Sequence, residues 1–349
     1  MNTSGTKFYI KWGAMMLALA LTGACAPSPV ASRPSEAPRV WPAPPATARI
    51  AYAYSFSRPE DLGIAKGFFA RLGEWFAGKE ESNLVRPMAI VATAEGVIYI
   101  ADPGVRGVHR FDTVRHRYKL LRRAKDAPLP SPVGLALGPR GEVYVTDSAL
   151  DGVFVITSVR DKHVVPFPLK ASLTQPTGIA CNPATGQLYI VDTGSQQVKI
   201  FAPDGTLQTA FGRRGSGAGE FNYPTLMWRD DSGKLWVTDS LNFRVQVFDA
   251  AGRFLNKFGR HGDGSGDHAR PKGIATDRAG HVYVVDSLHH AMQVFDVNGA
   301  FLLNVGEQGR HPGEFWLPTG IYIAADNHIY VADSYNQRVQ VFRYVGGSS

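Results

Sequence analysis

Cysteine is almost absent from this chain: Cys25 and Cys181 are its only two in 349 residues. A multi-bridge disulfide scaffold is therefore excluded, and stability must come from packing. No Cys-x-x-Cys-His run exists for covalent haem. Long apolar runs are lacking as well. The longest near the start, residues 12–21, is too short to cross a bilayer as a permanent helix. Charge is sparse: 19% of residues are charged and the formal net charge is +7, too mild a basic surface to call for nucleic acid. What the chain does have is 44% hydrophobic residues, punctuated by 37 glycines and 23 prolines. That is the composition of many short segments joined by turns.

The segments repeat. From Pro87 to Phe342 one pattern recurs six times at a spacing of about 45 residues. Each copy reads Pro-x-Gly-hydrophobic-Ala, a turn, Tyr/Trp-hydrophobic-x-Asp, and a run ending Val-x-Val-Phe. The aromatic residues are Tyr99, Tyr144, Tyr189, Trp236, Tyr283 and Tyr330; the aspartates three positions later are Asp102, Asp147, Asp192, Asp239, Asp286 and Asp333. A period of this length built from alternating short segments is the mark of a repeat architecture. In the fifth copy, strands are predicted over 271–275, 281–286, 292–295 and 301–305, and four antiparallel strands make one propeller blade. The sixth copy lacks its fourth strand. The period-2 stretch 50–56 supplies a matching segment, so an all-β, six-bladed propeller closed by an N-terminal strand is expected.

The runs Tyr330-Val-Ala-Asp333-Ser-Tyr-Asn-Gln-Arg338-Val-Gln-Val-Phe342 and Trp236-Val-Thr-Asp239-Ser-Leu-Asn-Phe-Arg244-Val-Gln-Val-Phe248 resemble the NHL-repeat family of six-bladed propellers. The resemblance covers residues 49–349, and is sharper in copies three to six than in the first two. It implies a fold more than an activity, because the family holds enzymes, sensors and scaffolds. Within it, some NHL-like propellers are zinc-dependent lyases whose metal-binding histidines follow or replace the repeated proline. The corresponding residues here are Met88, Val133, Thr177, Thr225, Lys272 and Thr319, none a typical zinc ligand. The ten histidines fall mostly in predicted turns, where imidazoles are solvated. No cofactor or metal is expected.

Residues 1–24 read as an export signal, with Lys7 and Lys11 ahead of the apolar run. The end, Leu21-Thr-Gly-Ala-Cys25, resembles the lipobox of bacterial lipoproteins, which implies cleavage before Cys25 and lipidation of its sulfur. A cell-envelope location, at the outer membrane, follows from that resemblance. Residues 25–48, with seven prolines, read as an extended tether of up to roughly 70 Å. Residues 49–349 form the propeller, interrupted at 57–86 by an insertion. There Ser57-Arg58-Pro59-Glu60 suggests a capping box, and Leu62, Ala65, Phe68, Phe69, Leu72, Trp75 and Phe76 recur at helical spacing.

The repeated aspartates sit at strand ends before turns, where carboxylates accept backbone N–H groups, and Arg244 and Arg338 stand five positions on as charge partners. The glycine-rich stretches 212–219 and 259–267 lack Gly-Lys-Ser/Thr and read as turns between blades. Cys181 is expected to be a buried thiol. Candidate partner-binding residues are Arg106, Arg213, Arg214, Phe243, His289, His290, Trp316 and Tyr335 on the face carrying the turns after each aspartate, with Phe68 and Trp75 in the insertion. The expected function is a lipid-anchored scaffold that binds a protein partner in the envelope, with no nucleic acid. The alternative is a metal-dependent propeller enzyme of lyase or lactonase type.

Overall fold

The second strand of every repeat decides how the chain packs. These strands, Val97–Asp102, Val143–Asp147, Leu188–Asp192, Leu235–Asp239, Val282–Asp286 and His328–Asp333, are buried along nearly their whole length. Near-continuous apolar runs of this kind need cover on both faces of the sheet. Successive repeats provide that cover for one another.

The computed structural model of the chain describes residues 39–64 and 82–346. Within them the structure is almost entirely β. Three four-stranded antiparallel sheets hold the third, fourth and fifth repeats. The first and second repeats are two four-stranded meanders merged into one eight-stranded sheet. The merger comes from the outermost strand His163–Pro166, which pairs in parallel with the end of Arg117–Arg123. The last sheet has five strands: three from the sixth repeat, then Ile50–Phe56, then Val40–Trp41.

The period-2 segment Ile50–Phe56 thus forms the expected strand and lies antiparallel to Arg338–Tyr344, with Ile50 opposite Tyr344 and Phe56 opposite Val339. The strands predicted in the fifth repeat appear as Pro271–Thr276, Val282–Asp286, Ala291–Phe295 and Phe301–Val305. Buried clusters lie between consecutive repeats. One of them joins the last repeat to the first: Phe56, Ile64, Leu84, Ile90, Ile100 and Phe111 pack with Tyr330, Ala332, Val339 and Val341.

The first strand of each repeat contributes to the lining of a single cavity: 89–91, 134–137, 178–181, 226–229, 274 and 320–322. Neighbouring inner strands come so close there that a side chain would collide. A Cβ at Gly178 would meet the backbone of Thr225 to Met227, and one at Gly320 would meet that of Met88 and Ala89. The glycine of Pro-x-Gly is thus a record of close backbone approach between repeats.

Two expectations need correction. Residues 25–48 were expected to be tether throughout, but Val40–Trp41 is a strand paired with Ile50 and Ala51. The Trp41 ring meets Phe342 edge-on at 5.7 Å, and Arg39 donates to the Pro312 carbonyl at 2.6 Å. A two-residue strand flanked by prolines has no periodicity to reveal it. The Ser57–Glu60 capping box does not form either. Pro59–Leu62 is a 3-10 turn in which Asp61, not Glu60, accepts the Ser57 N–H and hydroxyl at 2.9 and 3.1 Å. Gly63 then ends the turn in the left-handed region, at φ 71°. The helical pattern continuing through Phe68 and Trp75 lies outside the described residues, as do the signal segment and Cys25.

A chain begun at residue 39 should melt within about 2 °C of one begun at residue 26, whereas one begun at residue 57 should lose about 10 °C or aggregate through its bare edge. Differential scanning calorimetry of the two truncations checks this, and equal melting would contradict the role given to residues 39–56.

Candidate functional site

Each repeated aspartate ends its strand fully buried and turns its carboxylate toward the backbone that leads into its own repeat. Asp102 accepts the N–H groups of Val85 and Arg86, Asp147 that of Ser131, and Asp192 that of Thr174. Asp239 takes Asn222, Asp286 takes Ala269 and Arg270, and Asp333 takes Trp316. These bonds span 2.6 to 3.0 Å. The next residue reaches across to the following repeat. Thr193 donates its hydroxyl to the Pro224 carbonyl, Ser240 to Pro271, Ser287 to Pro318, and Ser334 to Pro87. Thr177 and Thr319, which follow the repeated proline, likewise bond to backbone carbonyls of the adjoining repeat.

A buried carboxylate also needs positive charge, and the repeats supply it differently. Arg244 and Arg338 pair with Asp239 and Asp333 at 2.8 Å, as expected from their spacing. Each also donates to three carbonyls of the glycine-rich turn beside it. Lys199 serves Asp192 at 2.6 Å. His109 faces Asp102 at 3.4 Å and His268 faces Asp286 at 3.6 Å. Both imidazoles are fully buried, which corrects the expectation that the histidines are solvated in turns. His268 occupies the place held by Phe221 and Phe315 in the neighbouring repeats, each at the same backbone bridge. Aligning the copies at that position would have found it.

The electrostatics differ accordingly. Burial raises the Asp102 carboxyl, but the His109 hydrogen bond and charge and the N–H groups of Val85 and Arg86 outweigh it, holding it below the usual range. Burial wins at Asp147, which stays above that range although Ser131, Ala149 and Leu150 donate to it, and it wins also at Asp239 and Asp333 despite their arginines. Cys181 is buried as expected, its thiol pushed up to about 12 by desolvation and then by the Glu142 charge. Desolvation, followed by the Arg270 charge, brings Lys272 down to about 8. Among the described residues no group of three His, Cys, Asp or Glu side chains converges as a metal site requires.

The candidate partner-binding residues are distributed as follows. The Trp316 and Tyr335 rings lie 6.4 Å apart, tilted by 33°, with the Arg310 guanidinium 4.8 Å above the Trp316 ring. Tyr335 is 57% exposed. Arg310 was missed in sequence because it lies in a variable turn. Arg106, Phe243 and His290 each follow their aspartate by four positions in the left-handed region, at φ 56°, 55° and 52°. His290 is committed there, since its Nδ1 accepts the Leu317 N–H at 3.1 Å. Phe243 lies against His261 at 4.3 Å, and Arg106 is exposed. Arg213 bonds Glu220 at 2.8 Å, which folds its turn, while Arg214 is exposed. His289 sits between Asp286 and Asp263, 3.8 Å from each. The structure therefore gathers Arg310, Trp316 and Tyr335 into one surface cluster and leaves the others dispersed.

Comparison with known proteins agrees with this geometry. The family model described as Teneurin NHL domain matches residues 119–314, and the NHL repeat model matches 315–342. The human E3 ubiquitin-protein ligase NHLRC1 is 40% identical over 53 residues, and the chain spans only 13% of that protein's length. Among solved structures, a virginiamycin B lyase from Staphylococcus aureus superposes with a TM-score of 0.55 at 15% identity, over 75% of this chain and 96% of that one. A gluconolactonase from Xanthomonas campestris gives 0.57 at 15% identity, over 75% and 86%. An auxiliary nutrient binding protein from Bacteroides ovatus gives 0.59 at 14% identity, over 75% and 70%. At such identities the likeness concerns the fold alone.

The sign of each aspartate's contribution yields a test. With its pKa lowered, Asp102 stabilises the fold fully above pH ~4, and this is lost as pH falls through its folded value. With its pKa raised, Asp147 stabilises fully below pH ~4, and the contribution is lost as pH rises through its folded value. Asp239 is raised by burial in the same sense, so the contrast between the two rests on Arg244. At pH 7 Asp147→Asn should stay within about 1 kcal/mol of the wild type, because backbone donors hold that carboxylate and the amide oxygen still accepts their N–H bonds. Asp239→Asn strips buried Arg244 of its carboxylate and should cost about 3 kcal/mol or more. Urea unfolding measures both; equal losses would contradict the assignment.

Proposed function

We propose, from the premise that this chain belongs to the NHL-repeat family, that it is a six-bladed β-propeller closed by its own strand Ile50–Phe56 and acts as a binding scaffold. The six-blade reading is supported by the six aspartate-ended strands and by the bond from Ser334 back to Pro87. Closure is supported by the pairing of Ile50–Phe56 with Arg338–Tyr344 and by the buried cluster spanning the first and last repeats. In this reading residues 1–24 are a signal segment, Cys25 carries lipid, the following residues to 38 are the tether, and the propeller stands in the bacterial cell envelope, at the outer membrane.

The observation that carries the scaffold reading is the Arg310–Trp316–Tyr335 cluster. An exposed tyrosine beside a half-buried tryptophan that is capped by a guanidinium combines the residue types that dominate protein-binding hot spots. It lies among the turns that follow the repeated aspartates, on a rigid ring whose loops are free to vary. The enzyme alternative has fold likeness to a lyase and a lactonase in its favour. Against a zinc site of the kind the resemblance implies after the repeated proline, Thr177 and Thr319 there are committed to the backbone of the adjoining repeat.

Photo-crosslinking in intact cells from position 335 should give a discrete protein adduct that Trp316→Ala reduces at least about fivefold, a hot-spot loss. Crosslinking from Leu255, exposed on an outer strand, serves as the control. The scaffold reading fails if position 335 yields no adduct, or the same adducts as Leu255.

A further inference from the structure

The inner strands end, away from the aspartate turns, in a cavity unlike the rest of the molecule. About 200 Å³ of water-sized space lies there, open at one side. Ile90, Leu135, Ile179, Met227, Ile274 and Ile321 supply aliphatic walls, with backbone and polar groups between them. Trp228 and Tyr322 meet edge-on in its lining, ring centroids 5.8 Å apart. Their polar atoms are already satisfied: Trp228 Nε1 donates to Thr276 Oγ1 and Tyr322 Oη to the Ala92 carbonyl, both at 3.0 Å. These side chains offer water no partner, so an apolar body lying against them is favoured there over solvent.

One cation breaks the apolar wall. Arg229 is the last residue of the strand Pro224–Arg229 and lines the cavity. Its Nε is buried without a hydrogen-bond partner, and its Nη1 reaches only the adjacent Asp230 carbonyl, at 3.3 Å. No carboxylate pairs with it among the described residues. Asp231, also at the rim, is 90% exposed and faces Arg278 instead. A half-buried guanidinium with an unmet donor is costly unless something anionic completes it, and its planar fork matches a carboxylate.

From these observations we infer that the cavity binds a small free monocarboxylate whose body is aromatic or branched aliphatic, with the body against the Trp228–Tyr322 pair and the carboxylate on Arg229. The apolar walls select the body and the single cation selects the charge. This site lies at the opposite end of the inner strands from the Arg310–Trp316–Tyr335 cluster, so it does not depend on the scaffold reading.

Isothermal titration calorimetry of the full chain with 2-naphthoate and with 2-naphthamide, its neutral isostere, tests the inference. Naphthoate should bind about tenfold or more tightly than naphthamide, the margin of a charge-assisted hydrogen bond. Arg229→Met should abolish that preference while naphthamide binding persists, which also reports that the cavity still forms. Arg229→Lys should retain part of it. Quenching of tryptophan fluorescence by naphthoate should fall in Trp228→Phe. Equal affinities for the acid and the amide, an unchanged preference in Arg229→Met, or no binding of either probe would overturn the proposal.

Discussion

One interaction organises this molecule: a buried carboxylate that gathers the backbone entering its own repeat, followed in the last four repeats by a hydroxyl that grips the next repeat's proline carbonyl. The first bond fixes a repeat internally and the second fixes it to its neighbour. Where both come from adjacent residues, Asp-Ser or Asp-Thr, the fold within a sheet and the fold between sheets are set at the same point. The carboxylate bonds are strong because they are charge-assisted and removed from water. They also leave little freedom, since an aspartate buried without its donors and cation is a liability.

The differing cations show how tolerant the scheme is. Arginine and lysine pair with three of the six carboxylates, histidine faces two more, and Asp147 relies on backbone donors. In the repeats with arginine, the same guanidinium also holds the glycine-rich turn, so loop geometry and carboxylate charge are coupled. Surface loops can change while this inner lattice stays put, which lets the exposed turns specialise. The two ends of the inner strands then differ in chemistry: polar, aromatic and well hydrogen-bonded near the aspartates, apolar with one unmet cation at the other.

Much of this was legible in the sequence. The repeats placed every second strand, and the alternation of Ile50 to Phe56 identified a strand whose long partner, Arg338–Tyr344, lies at the far end of the chain. Five-residue spacing found the pairs of Asp239 with Arg244 and of Asp333 with Arg338. Other features depend on contacts between residues remote in sequence. His109 and His268 reach their aspartates from different positions in their repeats, so no single spacing reveals them. Arg310 gains meaning only once Trp316 lies beneath it. Trp41 belongs to a proline-rich stretch and is ordered by Phe342, almost the full length of the chain away. The cavity is assembled from the same Gly-Ile-Ala segments in several repeats, and only Arg229 departs from their apolar pattern.

The account rests on the first long strand lying against the last, and a short crosslink measures that directly. Ala51 and Arg343 stand opposite one another in the paired strands. Cysteines at both positions, in a Cys25→Ser chain and with Cys181 buried, should be joined within one molecule by a two-carbon bismaleimide under native conditions. After digestion, a linked pair of terminal peptides in most molecules is the predicted result. Links only between molecules, or none until the chain is unfolded, would contradict it.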